Sequence, residues 1–172
     1  MARNIEIKAQ VGEIDAIRSR ARSLASNPSE TLQQTDTFFA VPGGRLKVRE
    51  FPDGTGELIS YQRPDQCGPK ESVYTRYFCE NARALSETLG NVLPVRGTVL
   101  KRREVFLVGR TRIHLDQVHN LGVFVELEVV LSDGESAEDG KHVVNELLHT
   151  LEIPETGLLA EAYIDLLQAA AV

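Results

Sequence analysis

Hydrophobic and polar positions alternate with a period of two along most of this chain. In the opening segment ARNIEIKAQV, the aliphatic residues Ile5, Ile7 and Ala9 alternate with Glu6 and Lys8. This alternation predicts a β-strand with one face toward a core. Similar patterns predict further strands over residues 32–41, 45–51, 57–63, 70–78, 95–108, 110–118 and 123–131. Helical spacing predicts helices over residues 13–25, 81–89, 135–151 and 155–170.

The order of these elements predicts an α+β fold made of a single domain over residues 1–172. Turn segments such as PGG and PDGTG separate consecutive strands, which is typical of antiparallel hairpins. An eight-stranded antiparallel sheet can close on itself, and closure removes the exposed edges that an open sheet would have. We therefore predict a closed eight-stranded antiparallel β-barrel with the helices packed outside it.

The polar faces of the predicted strands carry charges that are segregated by strand. Basic residues occupy the third, sixth and seventh strands: Arg45, Lys47, Arg49, Lys101, Arg103, Arg110 and Arg112. Carboxylates occupy the eighth strand, where Glu126 and Glu128 alternate with Leu127. A solvated outer face would usually mix small polar residues with charges of both signs along each strand. We therefore predict that these faces point inward and line a polar tunnel.

Cations that face one another across a tunnel would repel strongly unless an anion lay between them. A polyphosphate suits this role because each phosphate offers several acceptor oxygens to Arg and Lys side chains. A divalent metal that bridges Glu6, Glu126 and Glu128 to the phosphates would account for the carboxylates. In this interpretation Glu6 binds metal and Lys8 binds phosphate, and they lie two residues apart because both face the tunnel.

The composition narrows the range of partners. The chain has 172 residues, is 42% hydrophobic and carries a formal net charge of −6. This acidic balance argues against a general nucleic-acid binder, which needs an excess of Lys and Arg. A charged strand rather than a signal peptide opens the sequence, and no apolar run reaches the length of a membrane span, so we expect a cytoplasmic protein. Cys67 and Cys79 have no metal-binding spacing and are expected to be reduced.

An ordered set of segments runs through the chain: IEIKA, QTDTFF, GRLKVRE, KRREVF, RTRIHLDQVHNLGVFVELEV and AYIDLL. In that order they resemble the CYTH family of triphosphate tunnel metalloenzymes, which includes class IV adenylyl cyclases and thiamine triphosphatases. IEIKA is similar to the N-terminal ExExK signature of the family, and the stretch from RIHLD to VELE is the most specific segment. The resemblance covers nearly the whole chain. It implies an eight-stranded antiparallel tunnel, in agreement with the strand pattern.

The resemblance also implies roles for individual residues. Glu6, Glu126 and Glu128 would hold Mg²⁺ or Mn²⁺, with Asp116 behind them or at a second metal, and Lys8 would complete the catalytic group. Triphosphate binding is assigned to a set of basic residues: Lys8, Lys47, Arg49, Lys101, Arg103 and Arg112. Lys70 is expected to be a further contact on the fifth strand. Arg45 is expected either in the tunnel or at its rim.

The sequence departs from the family pattern at Asn4, which stands at the first acidic position of ExExK. An amide oxygen carries no charge, so we expect weaker metal binding or the loss of one metal. Many relatives place a lysine close to Gln62; here either Arg63 takes that role or one phosphate contact is missing. His114 shares the inner face, but we expect hydrogen-bonded scaffolding rather than a catalytic base.

Three functions stay open from the sequence. Hydrolysis of a nucleoside, inorganic or thiamine triphosphate and cyclisation of ATP to cyclic AMP would use the same groups. The third is a polyphosphate- or nucleotide-binding module without turnover, weakened by Asn4. An enzyme is favoured because Glu6, Glu126, Glu128 and many cations are present. We expect a small triphosphate as the partner, no nucleic acid or membrane, and a monomer or homodimer.

Overall fold

The computed structural model describes residues 1–171 and confirms the closed antiparallel barrel. Its strands are β1 (Ala2–Gln10), β2 (Glu30–Phe39), β3 (Arg45–Glu50), β4 (Gly56–Gln62), β5 (Lys70–Cys79), β6 (Val95–Val108), β7 (Thr111–Val118) and β8 (Gly122–Val130). They follow one another in the sheet as β5-β4-β3-β2-β6-β7-β8-β1, and β1 also pairs with β5, which closes the barrel. The inward rows of all the strands therefore face one lumen.

The outward faces of the strands carry the main hydrophobic core. Helix α1 (Ile14–Leu24) lies between β1 and β2, α2 (Ala82–Gly90) lies between β5 and β6, and α3 (Ala137–Thr150) follows β8. Ile5 and Ile7 of β1 and Leu127 of β8 are buried in one cluster with Val144 of α3. Gly140 permits this close approach, because a Cβ at that position would lie 2.5 Å from Ile5 Cγ1. The alternation of β1 thus places its aliphatic residues under α3 and its charged residues in the lumen.

The predicted single helix over residues 155–170 is wrong. The chain instead forms a short 3-10 helix (Glu155–Gly157), a short strand β9 (Leu158–Leu159) paired with β1, and α4 (Tyr163–Ala170). The carbonyls of residues 159–161 accept hydrogen bonds from the ammonium groups of Lys8 and Lys70. Carbonyl groups inside a helix are occupied by the backbone four residues on, so these contacts favour an extended segment before α4.

The two ends of the barrel differ. At one end, which we call the packed end, Phe38 and Val99 point inward and pack against Ala162, Tyr163 and Ile164 at the start of α4. At the other end, which we call the open end, the inward-facing side chains include Glu30, Arg76 and Leu107, and all three are exposed to solvent. Solvent therefore reaches the lumen at the end that is remote from α4.

The structure also bears on the two cysteines, on Arg110 and on the helices. Cys67 and Cys79 are both free thiols. Arg110, which was predicted to share the inner face of the seventh strand, instead lies in the turn before β7 and pairs with Glu135. Within residues 1–171, the helices are too short or too polar to cross a membrane.

Candidate active site

The barrel surrounds a cavity of about 470 Å³ that is lined by many charged side chains. Inward-facing residues from all eight strands line it, because alternate positions of each strand point to the same side. Most of the residues predicted from the sequence lie in this lining: Glu6, Lys8, Lys47, Arg49, Lys101, Arg103, Arg112, Glu126 and Glu128. Residues that are more than a hundred positions apart in the chain thereby share one site.

A carboxylate on β2 holds three of these cations, and we call Asp36, Lys47, Arg49 and Lys101 the Asp36 cluster. Asp36 accepts hydrogen bonds from Arg49 Nε at 2.7 Å, Arg49 Nη2 at 2.8 Å, Lys47 Nζ at 2.8 Å and Lys101 Nζ at 3.3 Å. Its side chain is 1% exposed. Burial would raise the pKa of Asp36, but the positive charges of Arg49, Lys101 and Lys47 hold it well below its usual value. Asp36 is therefore ionised and fixes all three cations.

Lys101 is the most strongly perturbed cation of the Asp36 cluster. Burial lowers the pKa of Lys101 to about 7, and the nearby charge of Arg103 lowers it further, whereas Asp36 opposes the shift. Burial also lowers the pKa of Lys47, although Asp36 opposes that shift too. A bound anion would favour the charged form of both side chains. The protonation of this cluster therefore depends on what the cavity contains.

Arg103 connects the Asp36 cluster to the carboxylates of β8. It donates to Asp116 from Nε at 2.7 Å and from Nη2 at 2.6 Å, and Nη2 also donates to Glu126 at 2.5 Å. The hydroxyl of Tyr163 donates to the same Asp116 at 2.8 Å. Asp116 is 0% exposed. Asp116 thus orients Arg103 and Tyr163 from behind the cavity wall, and it ties the start of α4 to the barrel.

Glu126 and Glu128 lie beside His114, and we call these three residues the acidic cluster. His114 Nδ1 is 3.7 Å from Glu126 Oε2 and 3.9 Å from Glu128 Oε1, and one ligand atom from each residue lies within 4.8 Å of the others. Within the described part of the chain, His114 Nδ1 is buried and has no hydrogen-bond partner. Two carboxylates suit Mg²⁺ or Mn²⁺, and an imidazole nitrogen adds a ligand that transition-metal ions accept more readily than Mg²⁺ does. The residues present therefore fit a divalent cation.

Both carboxylates of the acidic cluster are ionised. Burial would raise the pKa of Glu126, but the charges of Arg103 and Lys8 hold it well below its usual value. Burial acts in the same direction on Glu128, and here His114 and Arg112 lower the pKa. Arg112 Nη2 lies 2.9 Å from Glu128 Oε2. Two negative charges are thus available to a metal at neutral pH.

Glu6 and Lys8 both enter the cavity, each with a partner from the protein. Arg63 Nη1 donates to Glu6 Oε1 at 2.6 Å. Arg63 lines the cavity whereas Gln62 is exposed. Arg63 is therefore the one of the two that faces the lumen. Lys8 Nζ is 3.3 Å from Glu126 Oε1 and 3.8 Å from the centroid of the Tyr163 ring. Glu6 is paired in register with Glu128, so it borders the acidic cluster.

Two predicted substrate contacts already have structural partners. Lys70 is 1% exposed, and its ammonium donates to the carbonyls of Gln66, Leu159 and Ala160 at 2.9 to 3.1 Å. Burial lowers the pKa of Lys70 to about 8. Arg45 Nη2 lies 2.6 Å from Asp65 and 3.6 Å from Asp165 of α4. The cavity lining includes Lys8, Lys47, Arg49, Lys101 and Arg112 but neither Lys70 nor Arg45, so we leave these two out of the proposed substrate site.

Carboxylates of the protein relieve much of the repulsion that the sequence led us to expect. Asp36 offsets three cations, Asp116 and Glu126 offset Arg103, and Glu128 offsets Arg112. An external anion is therefore not required to hold the cations together, and that part of the expectation is corrected. What the network provides is a set of cations that are fixed before any ligand arrives, which reduces the cost of ordering them on binding.

Several residues contribute more than the sequence suggested. QTDTFF places Asp36 on one face with Phe38, but nothing in the local sequence shows that this acid binds three cations of other strands. Tyr163 reaches the cavity from a helix whose position no local pattern predicts. Asn4 lines the cavity and is 3% exposed, and its Oδ1 has no hydrogen-bond partner among residues 1–171. A neutral acceptor is therefore available beside Glu6.

Residues 2–163 match the family model of the CYTH domain. The chain belongs to the CYTH domain family. This CYTH domain contains the whole barrel and ends at Tyr163, the first residue of α4 and a cavity-lining residue. A comparison with functionally curated proteins gave no significant sequence match.

Solved structures share the barrel of this CYTH domain. The PH1012 protein of Pyrococcus horikoshii has a TM-score of 0.83 and 22% identity, with coverage of 94% of this chain and 98% of that chain. A candidate adenylate cyclase from Vibrio parahaemolyticus has a TM-score of 0.76 and 20% identity, with coverage of 96% and 97%. The Hippeastrum protein HpAC1, a candidate adenylyl cyclase described as revealing a dominant triphosphatase activity, has a TM-score of 0.64 and 15% identity, with coverage of 94% and 91%. At these identities the similarity shows a common fold.

Proposed function

We propose that this CYTH domain is a metal-dependent enzyme that binds a small triphosphate inside the barrel and catalyses substitution at phosphorus. The observation that carries the proposal is that the Asp36 cluster and the acidic cluster face the same cavity. Enzymes that act on triphosphates combine cations for the phosphate oxygens with acidic ligands for a divalent metal. The names of the Hippeastrum and Vibrio structures support the same class of chemistry.

The acidic cluster is the proposed binding site for Mg²⁺ or Mn²⁺. Glu126, Glu128 and His114 would be its ligands, because His114 Nδ1 is buried without a partner beside two ionised carboxylates. A metal bound there would polarise phosphate oxygens as a Lewis acid. Glu6 borders the cluster and Asn4 offers a neutral oxygen beside it, so both extend the set of available oxygen ligands.

The cations of the cavity would bind and orient the phosphates. Arg49 uses Nε and one hydrogen of Nη2 on Asp36, which leaves Nη1 and the second Nη2 hydrogen for a phosphate oxygen. Lys47, Lys101 and Arg112 can donate in the same way, and each charge-assisted hydrogen bond contributes about 1.5 to 3 kcal/mol. Because the protein fixes these donors in advance, little reorganisation is needed when negative charge shifts in the transition state.

Two reactions fit this arrangement of groups. In the first, water attacks the terminal phosphorus, the bond to its bridging oxygen breaks, and the diphosphate part leaves while the attacked phosphoryl group becomes orthophosphate, as in a triphosphate phosphohydrolase. In the second, the ribose 3′-hydroxyl of ATP attacks the α-phosphorus and pyrophosphate leaves, as in a class IV adenylyl cyclase. Both need the same electrostatic stabilisation and differ in which phosphorus faces the nucleophile.

A phosphorus-31 NMR time course with ATP and tripolyphosphate, in Mg²⁺, in Mn²⁺ and in chelator, tests the proposal. Metal-dependent orthophosphate identifies a phosphohydrolase, and pyrophosphate appearing with cyclic AMP identifies a cyclase. The matched control is the doubly substituted protein Glu126→Gln, Glu128→Gln. If the folded wild-type protein binds tripolyphosphate but turns over neither substrate with either metal, an enzyme that acts on ATP or tripolyphosphate is refuted. A polyphosphate-binding module, weakened by Asn4, would then be the supported function.

A further inference from the structure

Each lysine that lines the cavity lies near an aromatic ring as well as near a carboxylate. Lys8 Nζ is 3.8 Å and Lys101 Nζ is 5.4 Å from the centroid of the Tyr163 ring. Lys47 Nζ is 5.3 Å from the centroid of the Phe38 ring. A cation within about 6 Å of a ring centroid is attracted to the negative face of that ring. One residue, Tyr163, therefore attracts two of the three ammonium groups.

Tyr163 joins two strands that do not pair with each other. It is the first residue of α4 and is 4% exposed. Lys8 belongs to β1 and Lys101 to β6, and β7 and β8 lie between these strands in the sheet. Backbone pairing therefore does not directly fix the distance between the two ammonium groups, whereas a ring that attracts both of them does.

The side chain of Tyr163 is itself held firmly. Its hydroxyl donates to Asp116 Oδ2 at 2.8 Å. Its ring meets the Phe124 ring edge to face, with the two centroids 5.0 Å apart. Burial and the negative charge of Asp116 raise the pKa of Tyr163 well above its usual value, so the hydroxyl remains a donor at neutral pH. The position of the ring is thus set by the protein before any ligand binds.

Both ammonium groups keep a donor for a ligand. Lys8 Nζ donates to the carbonyl of Glu161 at 3.2 Å and lies 3.3 Å from Glu126 Oε1. Lys101 Nζ donates to Asp36 at 3.3 Å. An ammonium group has three N–H donors, and these contacts use at most two of them on either lysine. At least one donor on each is left for a phosphate oxygen while the ring attracts the charge.

We infer that Tyr163 is a positioning residue of the proposed site, and that the face of its ring holds the ammonium groups of Lys8 and Lys101 in place for the phosphates. This inference rests on the proposed function, because it takes both lysines as phosphate ligands. Ordering one long side chain on binding weakens affinity by up to about tenfold, and a ring that orders it beforehand removes that cost. A Tyr163 that only packs in the core would act through the shape of its ring and not through the charge of its face.

The test changes the charge of the ring face and keeps its shape. Tyr163→Phe removes the hydroxyl, and the same variant made with trifluorophenylalanine at position 163 has a similar shape but far less negative charge on the ring face. Dissociation constants for tripolyphosphate are measured by calorimetry in chelator. The same pair of substitutions at Tyr77 is the matched control, because Tyr77 is 69% exposed and lies outside the cavity lining.

We expect the fluorinated ring at position 163 to bind tripolyphosphate about fivefold more weakly than Tyr163→Phe does, and the fluorinated ring at position 77 to change nothing. In a Lys8→Met background the effect of fluorination should shrink to within about twofold, because the nearest cation is gone. A merely structural role would leave the plain and fluorinated rings with equal affinity.

Equal affinities, or the same effect of fluorination with and without Lys8, would overturn the inference and leave the proposed function standing. The expected pattern of affinities in a protein that shows no turnover with metal would refute the proposed enzyme and leave the inference standing. A folded wild-type protein that does not bind tripolyphosphate would overturn both.

Discussion

Arg49 donates two hydrogen bonds to Asp36, from Nε at 2.7 Å and from Nη2 at 2.8 Å, across the neighbouring strands β2 and β3. This fork geometry fixes the guanidinium plane and leaves its remaining donors available. Because Lys47 and Lys101 bind the same carboxylate, one acid determines the positions of three cations. Asp36 is therefore a positioning residue of the proposed site rather than a group that touches the substrate.

Removal of the Asp36 carboxylate should destabilise the fold. Asp36→Ala leaves three cations in the barrel without their shared counter-charge, and we expect the free energy of unfolding to fall by about 3 to 5 kcal/mol. Chemical denaturation measures the change. Asp133→Ala, at an exposed loop position, is the control and should stay within about 0.5 kcal/mol of the wild type.

Tripolyphosphate should compensate part of that loss, because its oxygens can replace the missing carboxylate. Saturating tripolyphosphate is expected to stabilise Asp36→Ala by more than it stabilises the wild type. An equal increase in unfolding free energy for both proteins would show that the anion does not bind at the Asp36 cluster.

Binding of tripolyphosphate should weaken as the pH rises through about 7, where Lys101 loses its proton. Burial lowers the pKa of this ammonium in the free protein, so the charged form that attracts phosphate predominates below pH 7 and the neutral form above it. Affinity is expected to fall by up to about tenfold per pH unit in the alkaline range. Calorimetric titrations across this range measure the profile.

Tripolyphosphate also changes its ionisation over this pH range. The variant Lys101→Arg separates the two effects, because its guanidinium stays charged at every pH tested. Arg103, Lys47, Arg49 and Asp36 face position 101, so the same charges surround lysine in the wild type and arginine in the variant. The variant should therefore retain its affinity at high pH better than the wild type. Two superimposable profiles would remove Lys101 from the binding site.

Substitution of the acidic cluster should abolish turnover and weaken metal binding. Glu126→Gln and Glu128→Gln each remove one negative charge and preserve the shape of the side chain. We expect Mn²⁺ affinity to fall by at least about tenfold for each, since even partners outside the ligand set commonly change affinity that much. Glu146→Gln, on the exposed face of α3, is the control. Full activity of either cluster variant would refute the metal assignment.

Gly56 is expected to tolerate no side chain. A Cβ at this position would lie 1.9 Å from the carbonyl oxygen of Arg49 and 2.6 Å from the Cβ of Ala82. The first obstacle is backbone of the paired strand, so Gly56→Ala should lower the free energy of unfolding by about 1 to 3 kcal/mol or more. Thermal denaturation beside Gly12→Ala, whose Cβ would meet nothing within 4 Å, measures the difference. A loss no larger than that of the control would contradict this packing.

The inward rows of the barrel were predictable because they depend on local geometry. Successive side chains of a strand point to opposite faces whatever the strand pairs with. Lys47 with Arg49, Lys101 with Arg103, and Glu126 with Glu128 could therefore be assigned to the lumen from spacing alone. The strand number and antiparallel order followed from the turns between them.

Ion pairs and the last helix were decided by the tertiary structure. Lys101 meets Asp36 across 65 positions of sequence, and that meeting depends on strand register, which no local pattern specifies. Helical spacing failed at residues 155–162 because Lys8 and Lys70 bind the carbonyls there. The sequence by itself determined the alternation of inward and outward side chains within each strand, since periodicity is a local property. Tertiary structure alone decided their partners, since contact energies act between distant segments.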